Sequence, residues 1–201
     1  AEPDIWKIDQ TKNITWSTKG NLNARTPNNM TIYLSNDGGG TFPHTLIATA
    51  DPGTDGTSNN AWSWANIPSS INSVNIIGTN NKIKIKHNYS GAGIIESISN
   101  AFILKGVISN VRVTDAGGTK VTSCLKGGSY KVKWAKKGYF GSGMSDGTVD
   151  IYYSSDTGAS YPTLLAGNQP AGADGDNGSW DWSIPSDFSS TPATFSSEVR
   201  V

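Results

Sequence analysis

Four aspartates on glycine-bearing loops are the residues of this chain best suited to hold a ligand. They lie in Asp51-Pro52-Gly53-Thr54-Asp55-Gly56 and in Asp174-Gly175-Asp176-Asn177-Gly178. Hard oxygen donors on a loop that glycine lets turn sharply suit Ca²⁺. The EF-hand pattern also demands a glutamate at a fixed later position, which neither loop supplies. Asp and Asn are ordinary turn residues as well. Beside that turn role, the expectation is Ca²⁺ at each loop separately, held by Asp51 and Asp55 in the first and by Asp174 and Asp176 in the second, with the second loop the stronger of the two.

Each acidic loop runs into a pair of tryptophans two residues apart, Trp62-Ser63-Trp64 and Trp180-Asp181-Trp182. On a strand that spacing puts both indoles on one face. Exposed, such a pair could stack on sugar rings. Buried, it would form the centre of a core together with Trp16 or Trp134. The polar residues between the indoles, Ser63 and Asp181, favour the buried reading, so Trp16, Trp62, Trp64, Trp134, Trp180 and Trp182 are assigned to the core. Trp6 has no counterpart later in the chain and is the indole expected at the surface or an interface. Catalysis finds little support: His44 and His87 are the only histidines, and neither has a nucleophile motif beside it. No phosphate loop occurs. The chain reads as a non-enzyme. The lone Cys124 cannot form an internal disulfide and is expected to act as a small, at least half-buried apolar residue.

A third constellation is structural. Ser35-Asn36-Asp37-Gly38-Gly39-Gly40-Thr41-Phe42 and Ser154-Ser155-Asp156-Thr157-Gly158-Ala159-Ser160-Tyr161 share Ser-x-Asp-x-Gly-x-Thr/Ser-aromatic. The carboxylates of Asp37 and Asp156 are placed to accept hydrogen bonds from the turn backbone, while Gly39 and Gly158 supply a positive φ. The pattern resembles the Asp-box, a hairpin motif known from sialidase propellers and other folds. A sialidase would need more copies at shorter spacing and an arginine cluster, whereas this chain has only Arg25, Arg112 and Arg200.

These groups recur at one offset. Trp16 and Trp134 are 118 residues apart, as are Trp64 and Trp182, and Asp37 and Asp156 are 119 apart. Order and offset together indicate two tandem copies, each of ordinary domain size. The boundary is expected near Lys105-Gly106, giving units 1–105 and 106–201 with almost no linker, which favours a stiff rod. Short alternating runs over 12–18, 30–34, 61–65, 82–86, 107–113, 130–134, 149–153 and 180–184 predict strands separated by Gly, Asn, Asp and Pro turns. In Lys82-Ile83-Lys84-Ile85-Lys86 the alternation is strict and predicts a lysine row in water. After it the first copy continues through glycines into Ile94-Ile95-Glu96-Ser97 and Ala101-Phe102-Ile103-Leu104, a further turn and strand. The second copy ends at its equivalent, Glu198-Val199-Arg200-Val201. It is expected to lack its closing strand, as a piece cut from a longer array or one completed by a neighbour's strand.

Sixteen cationic residues balance sixteen anionic ones, so no electrostatic footprint for nucleic acid or anionic membrane exists. The apolar runs are too short to span a bilayer. The abundance of Gly, Ser, Thr and Asn with a single cysteine suits an extracellular protein of a bacterial or archaeal surface. Asn13, Asn29, Asn88 and Asn177 begin Asn-x-Ser/Thr triplets, which such a composition readily produces by chance.

The order of Trp strand, Ile-Tyr strand, Asp-box-like turn, Trp-x-Trp strand with Ile-Pro, then a Lys/Arg-alternating strand resembles immunoglobulin-like or fibronectin-type-III-like repeats of bacterial cell-surface and S-layer proteins. The Thr-, Asn- and Gly-rich S-layer proteins of anammox bacteria are similar. Fungal cell-wall modules have a similar string. The resemblance implies an all-β fold of two tandem antiparallel β-sandwich domains. It implies a spacer and assembly module of an extracellular coat, whose partners are other copies of itself or adjacent domains, with Ca²⁺ bridging as an option. The alternative is a carbohydrate-binding or adhesive module of a secreted enzyme or adhesin, with cell-surface glycans as partners.

Overall fold

The computed structural model of the chain describes residues 3–58, 60–89, 91, 93–141, 143–154, 158–187 and 196–200, the last stretch by its backbone path. The chain is all-β and divides into two compact units, Ala1–Lys105 and Gly106–Val201.

In unit 1 the strands are β1 (Asp4–Lys7), β2 (Lys12–Trp16), β3 (Met30–Ser35), β4 (His44–Ala50), β5 (Asn60–Trp64), β6 (Ser70–Ile71), β7 (Val74–Asn75), β8 (Gly78–His87), β9 (Glu96–Ile98) and β10 (Phe102–Lys105). One sheet runs β1-β10-β8-β3-β4, with β9 also paired to β8, while β2 and β5 form a separate antiparallel pair. Alternation explains the core. Ile32 and Leu34 on β3, Ile83 on β8, and Phe102 and Leu104 on β10 are buried, as are Ile14 on β2 and Trp64 on β5.

Trp6 departs from its surface assignment. It is only 7% exposed, because β1 pairs in parallel with β10 and sets the indole against Phe102, with ring centroids 4.2 Å apart. Trp64 meets it edge-on at 6.3 Å, and the Trp6 indole N–H donates to Asp4. The lysine row also differs in detail. Lys82, Lys84 and Lys86 are half-buried, and the Lys84 ammonium lies over the rings of Phe42 and Tyr33, a contact in which the ring face attracts the cation.

Unit 2 contains β11 (Val107–Thr114), β12 (Ser129–Lys137), β13 (Thr148–Ser154), β14 (Thr163–Pro170), β15 (Gly175–Ser183) and β16 (Ser196–Arg200). They form two three-stranded sheets, β11-β12-β15 and β14-β13-β16. Val113, Val132, Trp134 and Trp182 from the first sheet meet Val149, Ile151 and Tyr153 from the second in one core, a sandwich-like arrangement. Cys124 packs half-buried against that core, and burial pushes its thiol above the ordinary value. Among the described residues β16 pairs with β13 alone, whereas its counterpart β8 in unit 1 pairs with β3, β9 and β10.

Candidate functional site

The polar residues singled out by type and spacing gather at equivalent places in the two units, and most of them hold backbone. After β2 the chain turns at Gly20, whose N–H donates to Asp55 Oδ1 at 2.6 Å. After β12 it turns at Gly138, whose N–H donates to Asp174 Oδ1 at 2.9 Å. Both glycines have a positive φ, +86° and +90°, which a side chain would strain. The Trp16 indole N–H donates to Pro52 O at 3.1 Å, and the Trp134 indole N–H to Ala171 O at 2.9 Å. The Ile-Pro motifs serve a third repeated contact. Ile67 exchanges backbone hydrogen bonds with Asp9 and Gln10, and Ile184 with Gly127 and Gly128.

The Asp-box-like turns follow the same rule. Gly39 N–H donates to Ser35 Oγ at 2.8 Å, and Gly158 N–H to Ser154 Oγ at 2.8 Å, both glycines again at positive φ. Asp37 accepts from the Ser35 hydroxyl at 2.5 Å, and from the Thr41 hydroxyl at 2.6 Å and backbone N–H at 2.9 Å. The hydroxyl of Ser35, then that of Thr41, hold its carboxyl well below the usual carboxylate range. Asp156 lies outside the described residues.

The four calcium candidates are committed elsewhere. Asp51 accepts from Gly53 N–H at 2.8 Å within its own turn, and Asp55 secures Gly20. Asp176 is gripped by both Arg112 terminal nitrogens, at 2.7 and 2.5 Å. The guanidinium holds that carboxyl below its ordinary value and is itself raised. Asp174 sits 3.1 Å from the Lys136 ammonium. Among the described residues no three acidic, His or Cys side chains converge as ligands. A divalent ion at the second loop would have to displace the Arg112 and Lys136 cations, so the carboxylates of that loop as arranged do not fit Ca²⁺.

The tryptophans divide by position. Trp64, Trp134 and Trp182 are buried, while Trp16, Trp62 and Trp180 are half-buried. Neither Trp-x-Trp pair presents two open rings. His44 and His87 are both about 2% exposed, at the start of β4 and the end of β8. Burial in an apolar setting lowers the His44 imidazole. Of the Asn-x-Ser/Thr triplets, Asn29 and Asn88 bond each other, Asn177 is exposed and bonds Asp174 O, and Asn13 is exposed on β2.

Two features were not anticipated from sequence. One is an open cleft of ≈ 950 Å³ within unit 1, lined by Trp6, Asn13, Thr15, Trp16, Ile85 and Ile98 among others. The other is Lys136, whose side chain is fully buried. Val132, Trp134 and Lys136 occupy alternate places on β12, so the period of the strand already directs Lys136 inward. Comparison with known protein families, curated proteins and solved structures finds no match.

Proposed function

We propose that the chain is a pair of immunoglobulin-like or fibronectin-type-III-like repeats that serve as a structural spacer and assembly module in an extracellular surface layer. The observation that carries this reading is the duplicated backbone clamping. The same indole-to-carbonyl, carboxylate-to-glycine and isoleucine contacts recur in both units at offsets of 117–119 residues. A unit whose aspartates and tryptophans are spent on holding loops is built to be repeated, and repeats of this kind have stability that is mostly local to each copy. The strand order β11-β12-β15 against β14-β13-β16 suits such a repeat. Partners in this reading are other copies of the chain or adjacent domains of the same coat.

Immunogold labelling of thin sections of source cells, with antibody raised against this chain, tests the proposal. A dense, continuous outermost layer of label is expected. Sparse label, or label confined to the medium, overturns it.

The unit 1 cleft favours one second reading, a carbohydrate-binding or adhesive module. Asn13, Thr15 and Asn100 offer polar contacts beside the half-buried Trp16, the mix of ring face and hydrogen-bonding groups that sugars require. Under that reading cell-wall oligosaccharides shift the tryptophan emission. Under the spacer reading no glycan changes it.

A further inference from the structure

The buried charge of Lys136 is not explained by the clamping. Its ammonium donates to Gly138 O at 2.6 Å and to Asp146 Oδ1 at 2.6 Å, with Asp174 Oδ1 at 3.1 Å. The rings of Phe140 and Tyr139 lie 5.3 and 5.9 Å from the nitrogen and close its apolar side. The equivalent position in unit 1 is Thr18, where a neutral hydroxyl donates to Pro52 O and accepts from the Asn60 amide at 3.1 Å. Unit 1 therefore fills this place without charge, while unit 2 buries a lysine there.

A buried ammonium is expensive unless its charge is met or removed. Two carboxylates at one amine allow both. They also place an acyl group and a proton carrier within hydrogen-bonding distance of the same nitrogen. Holding reactants in this way substitutes for a high effective concentration. We propose that Lys136 condenses with Asp146 to form an intramolecular isopeptide bond, with Asp174 as the proton relay. In the step, Asp174 takes one proton from the ammonium, and the freed Nζ attacks Cγ of Asp146. The new C–N bond forms and one C–O bond breaks. Two of the three ammonium protons leave with that oxygen as water, passed through Asp174, which ends as the carboxylate it began as. The third proton remains on the amide. One positive and one negative charge disappear together, and no oxidant or co-reactant is needed. The product ties the end of β12 to the segment leading into β13.

The mass of the intact, folded chain tests this directly. The expected value is lower than the sequence mass by one water, and a protease digest yields a branched peptide joining Lys136 to Asp146. Lys136→Arg restores the full mass. Because Asp146-Gly147 is also a sequence prone to succinimide closure, which loses one water too, the arginine variant separates the two chemistries. A full sequence mass after prolonged incubation at neutral pH overturns the proposal. So does a one-water deficit that persists in Lys136→Arg or that hydroxylamine cleaves.

Discussion

The two units place the same tryptophan on the same strand and treat it differently. Trp134 lies opposite Gly178 and is wholly buried, whereas Trp16 lies opposite Asn60 and is half-buried. A residue with no side chain lets the indole of unit 2 settle against the facing strand. An amide in unit 1 takes that space and bonds Thr18 instead. The hydrogen bond from indole to loop carbonyl survives both solutions. The contrast separates what the repeat must keep, the anchoring of a loop, from what each copy can choose, the filling of the space around the anchor.

The largest expected effect comes from removing that anchor where it is best buried. Trp134→Ala should destabilise unit 2 by about 3–5 kcal/mol, and Trp16→Ala should cost unit 1 distinctly less. Chemical denaturation of each variant reads the difference, and equal losses would break the comparison. Gly178→Ala sharpens it from the other side, since the added methyl runs into the Trp134 indole. It should cost about 1–3 kcal/mol, while Asn60→Ala should cost about 1 kcal/mol for its hydrogen bond. Asp55→Ala removes the carboxylate that secures Gly20 and should lower unit 1 stability by about 1 kcal/mol, seen as a lower denaturation midpoint.

One of the two buried histidines of unit 1, His44, distinguishes the units by pH. Burial keeps His44 neutral in the fold, its value lying below the ordinary 6.5. The unfolded chain thus binds the extra proton first as pH falls. This contribution is complete above about 6.5 and is lost as pH drops toward the folded value. Urea midpoints of unit 1 measured against pH should decline on that side, and His44→Gln should flatten the decline. Smallest of all is the exposed pair Lys131–Asp181 on facing strands of unit 2. Lys131→Ala should shift stability by no more than about 0.5 kcal/mol, an effect that added salt suppresses.

Much of the strand plan is legible in alternation, because a strand with one dry face must repeat every second residue. β2, β3, β5, β8, β11, β12, β13 and β15 all overlap predicted runs. β4 and β14 escape. Neither alternates between buried and exposed residues along its length, so the period on which detection depends is missing. Trp6 escapes for another reason. Its burial follows from β1 lying against β10, some hundred residues away, and no local pattern carries that information. The acidic loops show both sides at once. That Asp55 and Asp174 are equivalent is plain from spacing, but the donors facing them, Gly20 and Gly138, become visible only once the chain has turned. Lys136 was legible by period and overlooked by type, since lysine is so seldom fully buried.

The parallel pairing of β1 with β10 has a mechanical consequence. Asp4–Lys7 and Phe102–Lys105 are the entering and leaving strands of unit 1, side by side and pointing the same way. Tension applied along the polypeptide draws these neighbours in opposite directions along their common axis. Their slanted, evenly spaced hydrogen bonds are then loaded in shear and must rupture together, instead of peeling apart one at a time. Forced unfolding is governed by the barrier to that concerted step, so unit 1 is shaped to stay closed under a steady pull.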